Sequence, residues 1–283
     1  MLKRISVLLA LSITATVPIV SASAATNPTR IISLSPSATE DLFAIGAGAQ
    51  VIAVDDLSNF PTNAPVTKLS AFNPNVEAIA AFNPDLVILN STATKADAVK
   101  TALETLGISV FYETAPNNIA EAYGEILALG EKVGHRKEAA TLVATMKKKI
   151  ASVISSTKKK KPVTFFHELD NTLYSATSST FIGRVYKDFN LANIADAAAK
   201  ADDAGYPQLQ GEYILKANPI IIFLADAEYG ESLKTLSKRA GWSNLIAIKK
   251  KNVIALPTDI PSRWGPRLVD FYQFIARSIA PIK

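Results

Sequence analysis

Apolar positions in this chain come in short runs separated by polar turns, and their spacing switches between two periods. Continuous runs of four or five apolar or β-branched residues read as strands buried on both faces. They predict strands over 30–34, 51–54, 86–89 and 108–112, and again over 163–166, 220–224 and 253–256. Apolar residues three and four apart predict helices over 38–45, 75–82, 96–106, 118–133, 136–155, 180–189, 212–217, 232–240 and 266–279. Ser37 and Glu40 have capping-box spacing and mark the start of the first helix, which Gly46 and Gly48 stop. In 136–155, Ala139, Leu142, Val143, Met146, Ile150, Val153 and Ile154 form one stripe. A helix of that length spans about 30 Å, enough to run behind two lobes and join them.

Strands that alternate with helices imply parallel sheets with right-handed crossovers. The pattern also repeats. Residues 77–89 read EAIAAFNPDLVIL and residues 212–224 read EYILKANPIIIFL. Each segment opens on a glutamate, carries Asn-Pro at the same offset and ends in a strand-forming run. Two similar lobes follow, each presenting one acidic residue on the first turn of a short helix. The expected division is a leader over 1–24, a first lobe over 25–117, a helical connection over 118–157 and a second lobe over 158–283.

Composition narrows the class. Lys3 and Arg4, the apolar stretch 5–20 and the A-x-A site at 22–24 follow the grammar of a cleaved export signal. The chain is therefore expected outside the cytoplasmic membrane. The formal charge is +5, and loss of Lys3 and Arg4 with the leader leaves +3, too mild to indicate nucleic acid. The lysine runs at 147–149, 158–161 and 249–251 read as solvated helix ends and loops. There is no cysteine, which removes disulfides, thiolate metal sites and cysteine nucleophiles, and sets the expectation that the protein is not a lipoprotein.

Residues 30–40, RIISLSPSATE, and the segment around Glu77 resemble the cobalamin and ferric-siderophore binding proteins of ABC importers. Gly241-Trp242 and the segment 263–267, RWGPR, are similar to the cobalamin-binding branch of that family. The resemblance implies two Rossmann-like lobes joined by one long, rigid helix, with ligand held in the cleft between them. It also implies a monomer that docks on an ABC permease dimer with its ATPase, one surface glutamate per lobe meeting permease arginines. By motif those positions are Glu77 and Glu212, the same pair the internal repeat isolates. A carboxylate there also favours the helix dipole on its own account.

Ligands of parallel sheets bind beyond the carboxyl ends of the strands. The candidate ligand-binding residues there are Ser35, Pro36, Asp56, Ser91, His167 and Glu168. Phe72, Tyr174, Phe181, Tyr206 and Trp264 are candidates to pad the faces of a macrocycle, and Arg263 to bond its amides or carboxylates. No catalytic residue, resident metal or cofactor is expected. No G-x-S-x-G, H-E-x-x-H or Walker pattern occurs, and two histidines are too few for a bare zinc site. The acidic loops with one clear base favour a near-neutral, amide-rich chelate such as cobalamin. Ferric siderophore and haem remain open as cargo, as does a ligand-sensing receptor role.

Overall fold

The computed structural model describes residues 27–282, so the leader assigned to 1–24 lies outside the described residues. β1 (Ile31–Leu34), β2 (Val51–Val54), β3 (Leu86–Asn90) and β4 (Ser109–Glu113) form a parallel sheet in the order β2-β1-β3-β4. β5 (Val163–Glu168), β6 (Leu191–Asn193), β7 (Ile221–Leu224) and β8 (Val253–Ala255) form a second parallel sheet in the equivalent order β6-β5-β7-β8. The α/β class and the two-lobed architecture are as expected.

Strand alternation divides each sheet between two cores. From β1 and β3, Ile31, Leu86 and Ile88 face inward; from β5 and β7, Phe165, Ile221 and Phe223 do the same. These inner faces meet one continuous core built on α4 (Ile119–Lys132), α5 (Arg136–Thr157) and α10 (Leu268–Ile279). α5 contributes Ala139, Val143, Met146 and Ile150, and α10 packs along it. Burying an aliphatic side chain of this size stabilises by about 1.5–3 kcal/mol, so the helix ties both lobes through one apolar body. The outer faces carry separate cores. Ile32, Leu34, Val87 and Leu89 pack under α2 (Val76–Ala80) and α3 (Ala96–Thr105). Phe166, Ile222 and Leu224 pack under α7 (Gly211–Ala217), α8 (Leu233–Leu236) and α9 (Ile246–Lys249).

Local differences from the expected elements have local causes. The first helix, α1 (Pro36–Ala44), begins earlier than the Ser37–Glu40 spacing suggests. Ser35 is the N-cap and accepts from the Ala38 amide at 3.4 Å, while Pro36 fills the first helical position. Glu40 is then free of capping and turns to Arg267. The segment expected as a helix over 232–240 is helical only as α8, because Arg239 leaves the helical course to pair with Glu168 and Gly241 turns left-handed at φ 79°. β6 has no apolar run long enough to announce it, and α9 is a single turn of four residues. The repeat itself is exact in backbone terms at one position. Asn83 and Asn218, ahead of the two Asn-Pro prolines, both adopt positive φ, 49° and 46°. Asparagine tolerates that conformation better than most residues.

Candidate ligand-binding cleft

A cavity of about 500 Å³ opens between the lobes. It lies beyond the carboxyl ends of β4, β5, β7 and β8, reached by Ala115–Asn117, His167, Ala225 and Leu256–Thr258. The N-terminal turn of α6 (Phe181–Asp188) closes one side. Thr180 caps it, accepting from the Gly183 amide at 3.1 Å. A Cβ at residue 183 would fall 1.9 Å from the Thr177 carbonyl oxygen, so only glycine lets this helix start so close to the preceding loop. Phe181, Tyr206 and Trp264 supply the aromatic wall; Asn117, Ser179, Thr258 and Ser262 supply polar atoms. Among the described residues no aspartate, glutamate, lysine or arginine lines the cavity. Burial holds the His167 imidazole down to a pKa of about 4, so it is neutral at physiological pH.

Four of the expected ligand-binding residues meet here: His167, Phe181, Tyr206 and Trp264. The structure places the others elsewhere. Ser35 and Pro36 are occupied in starting α1. Asp56 is exposed, with its amide bonded to the Leu69 carbonyl. Phe72 is 64% exposed on the first lobe, and Ser91 donates its amide to the Glu113 carbonyl. Tyr174 is exposed in a bridge to Gln208. Glu168 is fully buried on the opposite face of β5 from His167. It accepts both guanidinium arms of Arg239 at 2.8 and 2.7 Å, and Arg239 lies over the Trp242 ring at 4.6 Å. Burial still lifts the Glu168 carboxyl to about 7 against the pull of Arg239.

Trp264 belongs to a clasp as well as to the cleft, and Arg263 to the clasp alone. The segment from Asp259 to Arg267 crosses from the second lobe to the first. Asn59 donates to Asp259 at 2.6 Å, and Arg267 Nε donates to Glu40 at 2.9 Å. The Trp264 indole donates to Glu113 at 3.3 Å, and its amide to Ser37 at 3.4 Å. Arg263, with a side chain 12% exposed, sits 3.8 Å from Glu40 and 3.6 Å from Asp259. Its charge is thus committed to structure. Glu113 lies buried beside Asp41, and burial lifts Glu113 to about 7, despite hydrogen bonds from Ser35, Trp264 and Asn90. Asp41 rises well above the usual carboxylate range for the same reason, with Glu113 and Glu40 adding repulsion.

Glu77 and Glu212 occupy matching places. Each is exposed on the first turn of its short helix, α2 and α7, and neither makes an ion pair among the described residues. Among the described residues no helix is long and apolar enough to cross a membrane, and no cluster of three or more His, Asp or Glu side chains is arranged to hold a metal ion.

Two parallel-sheet lobes thus frame a cleft whose lining, among the described residues, carries no charged side chain. The chain belongs to the periplasmic binding protein family, whose sequence profile matches residues 31–260, and this family is one of binding proteins, not enzymes. It is 33% identical over 263 residues to an uncharacterized ABC transporter substrate-binding lipoprotein of Bacillus subtilis, YvrC, covering 90% of this chain and 81% of that one. It is 27% identical to a vitamin B12-binding protein of Vibrio parahaemolyticus, covering 85% and 86%. Among solved structures, a possible iron-binding periplasmic protein of Staphylococcus epidermidis superposes with a TM-score of 0.80 at 26% identity, covering 90% and 99%.

Proposed function

We propose that this protein captures a near-neutral metal chelate, a corrinoid such as cobalamin, in the interlobe cleft and delivers it to an ABC permease. The observation that carries this reading is that, among the described residues, no charged side chain lines the cavity. An anionic ferric siderophore or the two propionates of haem would enter such a site without a cationic partner, and burying an unpaired charge is costly. An amide-rich macrocycle needs flat apolar contacts and scattered donors and acceptors, which Phe181, Tyr206, Trp264 and the polar groups around them offer. The relative from Vibrio parahaemolyticus named for vitamin B12 supports the same cargo.

Delivery is assigned to Glu77 and Glu212. Exposed and unpaired, they present carboxylates to guanidinium forks on a partner, which gives strength and orientation together. The protein acts outside the cytoplasmic membrane, as its leader pattern suggests. The Bacillus relative is named a lipoprotein, whereas these residues include no cysteine to carry a lipid. Titrating the purified protein with cyanocobalamin, haemin and a panel of ferric siderophores tests the cargo. Cyanocobalamin should bind tightest, with one molecule per chain. Tighter binding of haemin or of a siderophore would overturn the assignment.

A further inference from the structure

Strand alternation gives the inner face of the first sheet a polar end. Ile88 and Phe111 face the central core, and two residues on, at the carboxyl ends of β3 and β4, the register partners Asn90 and Glu113 share that face. The Asn90 amide has a fixed direction. Its Oδ1 accepts the amide and the hydroxyl of Thr92 at 2.9 and 2.7 Å, which turns its Nδ2 to Glu113 Oε2 at 3.1 Å. The other carboxyl oxygen, Oε1, accepts the Trp264 indole at 3.3 Å, and Ser35 donates to the same group.

Glu113 is 1% exposed, and these three donors are neutral. Glu125 repels it, and it repels Asp41. A buried carboxylate so placed costs stability, and an apolar side chain would fill the strand end at less cost. What the carboxylate supplies is direction. An indole has a single donor, and that donor needs an acceptor when it is taken out of water. Trp264 is therefore held at both ends, its backbone amide on Ser37 and its ring edge on Glu113. Gly265 permits the approach, because a Cβ there would fall 3.0 Å from Asp41 Oδ1 and 3.1 Å from the Ser37 carbonyl oxygen. Few rotations are left to a planar ring pinned in this way, and this ring lines the cleft.

We infer that Glu113 is a positioning residue for the cleft, holding the Trp264 indole in place as a wall before cargo arrives. Glu113 stands on the first lobe's sheet and is not part of the cavity lining; it acts through the ring. A wall already ordered spares the ligand the cost of ordering it, about three- to tenfold in affinity. The affinity half of this inference rests on the reading of the cleft as a chelate site; the hold on the ring does not.

The chain has two tryptophans, so ¹H–¹⁵N spectra of the ligand-free protein should contain two indole N–H signals, and Trp264→Phe identifies one of them by its loss. Glu113→Leu should move the Trp264 signal upfield and speed its exchange with water, leaving that of Trp242 in place. Glu113→Gln keeps one acceptor oxygen and should fall between; it carries the same comparison if the Leu variant does not fold. Titration with cyanocobalamin then completes a double-mutant cycle. Glu113→Leu should weaken binding about three- to tenfold in the parent protein, but less than about twofold in the Trp264→Phe background. An unmoved indole signal would overturn the proposal. So would an equal loss of affinity in both backgrounds, or no loss in either. If none of cyanocobalamin, haemin or the siderophores binds, the cargo reading falls, while a Trp264 signal displaced in Glu113→Leu upholds the positioning.

Discussion

The two lobes share a strand order, a left-handed Asn before proline and an exposed glutamate, yet they contribute unequally to the cleft. The first lobe offers little more than Ala115–Asn117, at the exit of β4. The second supplies His167, the start of α6, Tyr206 and the loop after β8. What the first lobe brings instead is a set of buried acids, Glu40, Asp41 and Glu113, on which the second lobe's clasp is fastened. Of the repeated features, Glu77 and Glu212 are exposed, where the proposed docking would use them; the features that differ line the cleft or hold the clasp.

The largest effect should come from breaking what the lobes share. Glu77→Ala together with Glu212→Ala should abolish stimulation of the importer's ATPase while leaving cyanocobalamin affinity unchanged. Normal stimulation by the double variant would detach the repeat from docking.

Next comes the clasp, where the lobes differ. Glu40 is almost fully buried, and its carboxyl is raised because burial outweighs Arg267. The pair therefore adds little net stability, but removing one partner strands the other charge. Arg267→Ala should cost about 2–4 kcal/mol in denaturant unfolding, with Arg263 recovering part of the loss. Arg267→Met combined with Glu40→Met should restore most of it. A double variant as unstable as the single would show that packing, not the stranded charge, sets the cost.

A smaller effect is expected from Glu113. Its folded pKa, about 7, lies above the ordinary carboxylate value, so the native state binds more protons than the unfolded state between about pH 4.5 and 7. Its stabilising contribution is complete below that window and is lost as pH rises through it. Glu113→Gln should therefore gain on the parent protein as pH rises from 5 to 8, by up to about 2–3 kcal/mol. A difference independent of pH would place the ionisation elsewhere. His167 titrates with the opposite sign, losing stability as pH falls toward 4, so the comparison with the variant isolates Glu113.

The fold was largely legible because buried parallel strands announce themselves as apolar runs between turn residues. β6 was not, since Leu191–Asn193 holds three residues and ends on a polar one. In the site, His167, Phe181, Tyr206 and Trp264 were legible as polar or aromatic residues at strand ends and loops. Glu168 could have been set apart from sequence alone: strand alternation puts it opposite His167, on the face of Phe166. The clasp was hidden because its partners lie far apart in the chain, as Trp264 and Glu113 do, and only tertiary packing joins them. The loop Leu256–Thr258 was overlooked although it leaves the carboxyl end of β8, where the strand-end rule directs attention.

Amide hydrogen exchange with and without saturating cyanocobalamin tests the unequal cleft most directly. Protection should concentrate at residues 115–117, 179–182, 204–206 and 257–264, with the loops at 55–58 and 91–95 of the first lobe unchanged. Protection centred on those first-lobe loops, or none at all, would contradict a binding surface built mainly by the second lobe.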